Sequence, residues 1–162
     1  MTQEDKKLLT TDLIGRLKHK TRIQTPCAKN SIHILNCVYC DSESDTIDFM
    51  DDYGLTWAAE DIVPYLRPMS SMTEDELEDF ARNVYFLPNQ AFEVVEVTHT
   101  GNGVIYVKCK NINFDDEYWT FHVGSYRTLE SYQGIEWLDA NHFDYRGLIS
   151  RGLALVAPEN MY

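Results

Sequence analysis

The chain has 162 residues, 44% of them hydrophobic, and a formal net charge of −12. That is enough to bury a core without disulfide or metal staples, in one domain or two small ones. No apolar run approaches the ~18 residues of a membrane helix and the first residues hold no apolar export block, so a cytoplasmic protein with reduced cysteines is expected, without a membrane or a cofactor. The charge is uneven: residues 41–79 hold thirteen acids against Arg67 alone, a net of −12, whereas the first 22 residues hold six bases against three acids, a net of +3. The acidic stretch disfavours direct phosphate binding, which calls for a basic stripe.

Taken in chain order, residues 4–17 place Leu8, Leu9, Leu13, Ile14 and Leu17 at helical spacing, with acids early and bases late, as suits the helix dipole. From Thr21 to Leu66 the pattern becomes short extended runs, TRIQT, SIHILNCVYC, DTIDFM, LTW and DIVPYL, separated by turn residues. Alternation through the second run puts His33, Leu35, Cys37 and Tyr39 on one face and Ile32, Ile34, Asn36, Val38 and Cys40 on the other. Strands this short and this closely spaced predict a small antiparallel SH3-like barrel.

Pro64 and Pro68 keep the next residues extended, and the capping box Thr73 to Glu76 then opens a helix over residues 74–85, with Met69 and Met72 packed against it. After Pro88, FEVVEVTHT and VIYVKCK flank Gly101-Asn102-Gly103, a hairpin signal, and EYWTFHV supplies a third strand. A helix over residues 135–141, a helical turn at 145–149 and the apolar tail GLALVAP end the chain. The fold class predicted is α+β, divided into residues 1–69, a helix and a small β-barrel, and residues 70–162, a helix, a β-meander and a C-terminal helical segment.

Few residue patterns carry chemistry. Cys37 and Cys40, with Cys27 and His33 nearby, are candidates for a metal site, but on a strand two positions three apart face opposite sides, and the knuckle turn of a zinc site is missing. The acids from Asp41 to Asp48 begin like a calcium loop and lack its glycine and its closing glutamate. His142, Asp144 and Arg146 gather groups capable of acid, base or anion-binding work. Their structural reading is a helix cap at Asp144, a pairing of Arg146 with Glu136 or Asp139, and packing of Phe143 and Tyr145. No P-loop, GxSxG, HExxH or GxGxxG occurs. Trp57, Trp119 and Trp137 sit in apolar patterns and read as core. Tyr53, Tyr126 and Tyr132 lie beside turns, and with Asp51 and Asp52 they suit a protein interface.

The segments PYLRPMSSMTEDE and IEWLDANHFDYRGLISRGLALVAPENMY resemble recurring segments of short proteins from Bacteroides-type gut bacteria and from their phages and mobile elements. No activity is attached to that group, so the resemblance implies a setting, that of an accessory protein, and no site residue. The function expected is a non-catalytic interaction protein that binds another protein through an acidic, tyrosine-bearing surface. Two alternatives stand beside it: a small hydrolase or metal-dependent enzyme using His142 and Asp144, and an inhibitor whose acids mimic nucleic acid.

Overall fold

The computed structural model describes residues 1–26, 31–41, 46–85, 91–100, 103–113, 117–124 and 131–162. Its chain forms two compact units: Met1–Arg67 together with Arg146–Tyr162, and Pro68–Tyr145 between them. The fold is mixed α+β, with three α-helices and two sheets among the described residues. A division at residue 69 would leave the C-terminal residues with the second unit, whereas from Arg146 onward they belong to the first.

In the first unit, helix α1 (Gln3–Arg16) starts at a capping box. The Thr2 hydroxyl accepts the Asp5 N–H at 3.1 Å, and the Asp5 carboxylate accepts the Thr2 N–H at 3.3 Å. The buried face is Leu9, Asp12, Leu13 and Arg16, so the predicted stripe holds at Leu9 and Leu13 but not at Ile14, which is 43% exposed. The face is turned toward Asp12 and Arg16 because the two neutralise each other. Arg16 Nε and Nη2 donate to the two Asp12 oxygens at 2.7 and 3.1 Å, and Arg146 Nε adds a contact to Asp12 Oδ1 at 3.2 Å.

Strands β1 (Arg22–Gln24), β2 (Ile32–Asp41), β3 (Thr46–Asp51), β4 (Thr56–Ala58) and β5 (Val63–Leu66) are joined by a last strand, β9 (Leu155–Val156), in the order β4-β3-β2-β1-β5-β9. All pairings are antiparallel except that of β5 with β9. The order is linear, and no pairing among the described residues closes it into a barrel. A bulge in β2 between Leu35 and Cys37 resets the alternation: His33 and Leu35 face inward before it and Val38 after it, so the predicted single face does not run through. The core of this unit joins Leu9, Leu13, Ile23, Leu35, Phe49, Ile62 and Leu66 with Leu148 and Leu153 from the returning segment. Tyr162 fastens that segment, its hydroxyl donating to Tyr65 O at 2.8 Å and accepting the Arg22 N–H at 3.0 Å.

The second unit begins with Pro68 and a short 3-10 turn that buries Met69 and Met72 in its core. Helix α2 (Glu74–Val84) has the predicted capping box, with Thr73 N–H on Glu76 at 2.9 Å and Glu76 N–H on Thr73 at 3.3 Å. Strands β6 (Phe92–His99), β7 (Ile105–Asn111) and β8 (Tyr118–Val123) form an antiparallel meander, and α3 (Tyr132–Ala140) follows. Phe80 meets Trp137 edge-on at 5.1 Å, and Trp137 stacks on Phe143 at 5.9 Å. The Trp137 indole N–H is satisfied by Asp79 at 2.7 Å, which lets so large a ring be buried.

Candidate functional site

The residues predicted for chemistry at the C-terminal end have structural work. α3 ends in a Schellman motif: the His142 N–H reaches Asp139 O at 3.1 Å and the Phe143 N–H reaches Leu138 O at 3.0 Å. His142 takes the left-handed position usually left to glycine, at φ 60°, and Phe143 and Leu138 are fully buried. Arg146 engages Asp12, its Nε 3.2 Å from Oδ1. Asp144 is half-buried in the same turn region. Among the cysteines, Cys37 is half-buried and Cys40 exposed, both free thiols at positions of opposite parity in β2, and Cys109 is buried in the second core. Cys27, Tyr126 and residues 42–45 of the acidic loop lie outside the described residues. Tyr132, at the start of α3, is 71% exposed.

The described residues converge instead at one corner of the first unit, where β3 turns into β4. Asp51 closes β3 with its side chain fully buried. Its Oδ1 accepts the N–H groups of Tyr53 and Leu55, both at 2.9 Å, and its Oδ2 accepts the Trp57 indole N–H at 3.0 Å. The backbone completes the turn through Asp51 N–H on Leu55 O at 3.0 Å and Gly54 N–H on Asp51 O at 3.1 Å. Gly54 is required there, since its φ of 79° is one that side-chain-bearing residues rarely adopt. Burial pushes the Asp51 carboxyl up, but the hydrogen bonds from Trp57, Leu55 and Tyr53 and the attraction of His33 outweigh it, holding the group below the usual carboxylate range.

This turn has two sides. Outward it carries Asp52, exposed, and Tyr53, 74% exposed. Asp52 Oδ1 ties the turn back to β2 by accepting the Ile34 N–H at 3.0 Å. Inward it meets His33, whose ring lies edge-on to Tyr53 at 5.2 Å. His33 Nε2 is 2.7 Å from Ser31 Oγ, and Nδ1 is 3.0 Å from Asp51 Oδ2 without an aligned hydrogen bond to it. Asp51, expected on a surface, is thus the internal brace that presents Tyr53.

His33, Asp51 and Asp52 bring three potential ligand atoms within 4.8 Å of one another. Three of the four carboxylate oxygens already accept N–H groups. That makes the cluster a hydrogen-bonded corner rather than a cation cage, and a structural metal would want a fourth ligand besides. Ser31 and the brace each leave a trace in the sequence. Ser31 and His33 are two apart at the mouth of a strand, hence on one face, and an Asp followed three residues later by a glycine is a turn signal, the Asp side chain being able to accept the backbone N–H two residues on.

In the second unit, Glu96, Thr98, Tyr106, Lys108 and Thr120 line a shallow depression of about 300 Å³ on the open face of the meander. Register sets Glu96 opposite Lys108, and Tyr106 rests on His122 at 4.4 Å, so this face is largely satisfied by cross-strand pairs. No helix among the described residues is long and apolar enough to cross a membrane. Set against protein-family models, curated proteins and solved structures, the chain matches none.

Proposed function

We propose that the chain is an interaction protein that docks on another protein through the β3–β4 turn, with Tyr53 as anchor and Asp52 as its charged flank. One observation carries this reading: a large aromatic side chain, 74% exposed, stands on a turn held by the buried Asp51. Interface energy concentrates in aromatic anchors, and a backbone already ordered before binding loses less entropy on docking. The partner that fits is a protein surface with an apolar slot for the ring and a Lys or Arg beside it for Asp52. Tyr132 stands on the second unit and is the internal control. The setting implied by the resemblance, an accessory protein working in the cytoplasm of a gut bacterium or encoded by its phage, belongs to the same proposal. So does the finer description of the first unit as SH3-like, which the β2 bulge favours by bending its sheet.

The test is affinity capture from lysate of a Bacteroides-type host with the tagged chain, Tyr53→Ala and Tyr132→Ala at two salt concentrations, followed by titration of the purified partner. Loss of a near-stoichiometric partner from Tyr53→Ala alone, with affinity falling about 30-fold or more, is the expected result. A partner retained by Tyr53→Ala overturns the assignment of the surface. Binding that collapses with salt and is competed by DNA would point to nucleic-acid mimicry instead.

A further inference from the structure

The inner side of the same corner has a chemistry that docking through Tyr53 does not use. A serine hydroxyl is a weak nucleophile unless a base sits within hydrogen-bond reach, and that base works best when a third group orients it and stabilises its protonated form. Ser31 Oγ is 2.7 Å from His33 Nε2, and the far ring nitrogen of His33 is 3.0 Å from Asp51 Oδ2. Asp51 cannot swing away, because Tyr53, Leu55 and Trp57 hold both its oxygens. His33 is itself 6% exposed, fixed between the carboxylate and the Tyr53 ring. The contact at Nδ1 is close but not aligned as a hydrogen bond, and catalytic hydrogen bonds without substrate are often loose in this way.

We propose that Ser31, His33 and Asp51 form a nucleophile, base and orienting carboxylate that make Ser31 reactive toward activated carboxylic esters, neutral or cationic ones in preference. In the first step Ser31 Oγ bonds to the ester carbonyl carbon while its proton passes to His33 Nε2. The carbonyl then re-forms as the C–O bond to the leaving alcohol breaks, and His33 returns the proton to that alcohol. Water attacks the acyl-serine, again giving its proton to His33, which passes it to Ser31 as the acid leaves. The sum is ester plus water to acid plus alcohol. Asp51 is a positioning residue acting through His33. The charge preference follows from Asp52, exposed beside the site, and from the buried carboxylate of Asp51.

The test uses the full chain and a fluorophosphonate probe, read by intact mass and peptide mapping. A single adduct on Ser31 is expected, absent from Ser31→Ala and formed about 10²- to 10⁴-fold more slowly in folded His33→Gln. In the wild type the labelling rate should rise with pH, because only a neutral imidazole can take the Ser31 proton. Among the described residues, Asp51, Asp52 and Tyr53 are titratable groups that face this imidazole. Asp51→Asn keeps an oxygen for the Tyr53 and Leu55 N–H groups but removes the charge facing the ring, so the midpoint should move to lower pH, which a merely structural aspartate would not cause. No Ser31 adduct after hours at millimolar probe, a rate flat with pH in the wild type, or one unchanged in His33→Gln overturns the proposal. Ser31→Ala should lose the adduct while still capturing the partner that docks through Tyr53, so the two readings fail separately.

Discussion

Replacing Asp51 by alanine removes the acceptor of three N–H groups at once, and its cost follows from where those donors lie. Hydrogen bonds to an ionised acceptor contribute about 1.5–3 kcal/mol when water cannot replace it. The N–H groups of Tyr53 and Leu55 belong to exposed residues and rehydrate in part, so each is worth about 1 kcal/mol, while the half-buried Trp57 indole contributes about 1.5 kcal/mol. The sum, about 3–4 kcal/mol, is a large part of the 5–15 kcal/mol typical of a domain. Native-state hydrogen exchange at the β2–β4 amides reads it within the first unit, and the amides of α2 and β6–β8 should change far less. A drop below about 1 kcal/mol would refute the idea that Asp51 braces the turn. The same brace predicts an acid limb. Because the folded carboxyl titrates below its ordinary value of about 3.9, its contribution is complete above that pH. It is lost as pH falls through the lower folded value, so Asp51→Ala should flatten the fall in stability below about pH 4.

Two further outcomes are expected. Asp12→Ala removes the carboxylate that takes two hydrogen bonds from the fully buried Arg16 and should cost about 3–5 kcal/mol, whereas Arg146→Ala leaves that pair intact and should cost about 1 kcal/mol; thermal unfolding giving the reverse order would refute this ranking. Burial, with a smaller push from the charge of Glu78, raises the Cys109 thiol to about 11. At pH 8.5, iodoacetamide should therefore modify exposed Cys40 readily and Cys109 only under denaturant, as peptide mass mapping would show.

Where local chemistry decides, the chain could be read directly. Thr73 and Glu76 announce α2 because a capping box needs only four consecutive residues, and β6 and β7 announce their hairpin through alternation about a glycine turn. What escaped was set by distant partners. Asp12 and Arg16 look like solvent positions until they are seen to neutralise each other beside Arg146, 134 positions further on than Asp12. The β2 bulge inverts the face of every residue after it, and no glycine or proline marks it. His142 is the instructive case. Its neighbours suggested catalysis, yet what places it is a helix terminus that tolerates a left-handed residue. The corner at Asp51 was half visible: its exposed tyrosine could be anticipated from the turn, but the serine it indirectly serves lies 20 positions upstream.

Since the second unit is an uninterrupted stretch, Pro68–Tyr145, while the first needs Leu148, Leu153 and β9 to finish its core and sheet, the order of synthesis inverts the order of completion. The inner unit has all its parts as soon as Tyr145 clears the ribosome. The first unit waits with the β5 edge uncovered until β9 has been made. A nascent chain stalled between these points should therefore be protease-resistant in its middle and still open at its beginning.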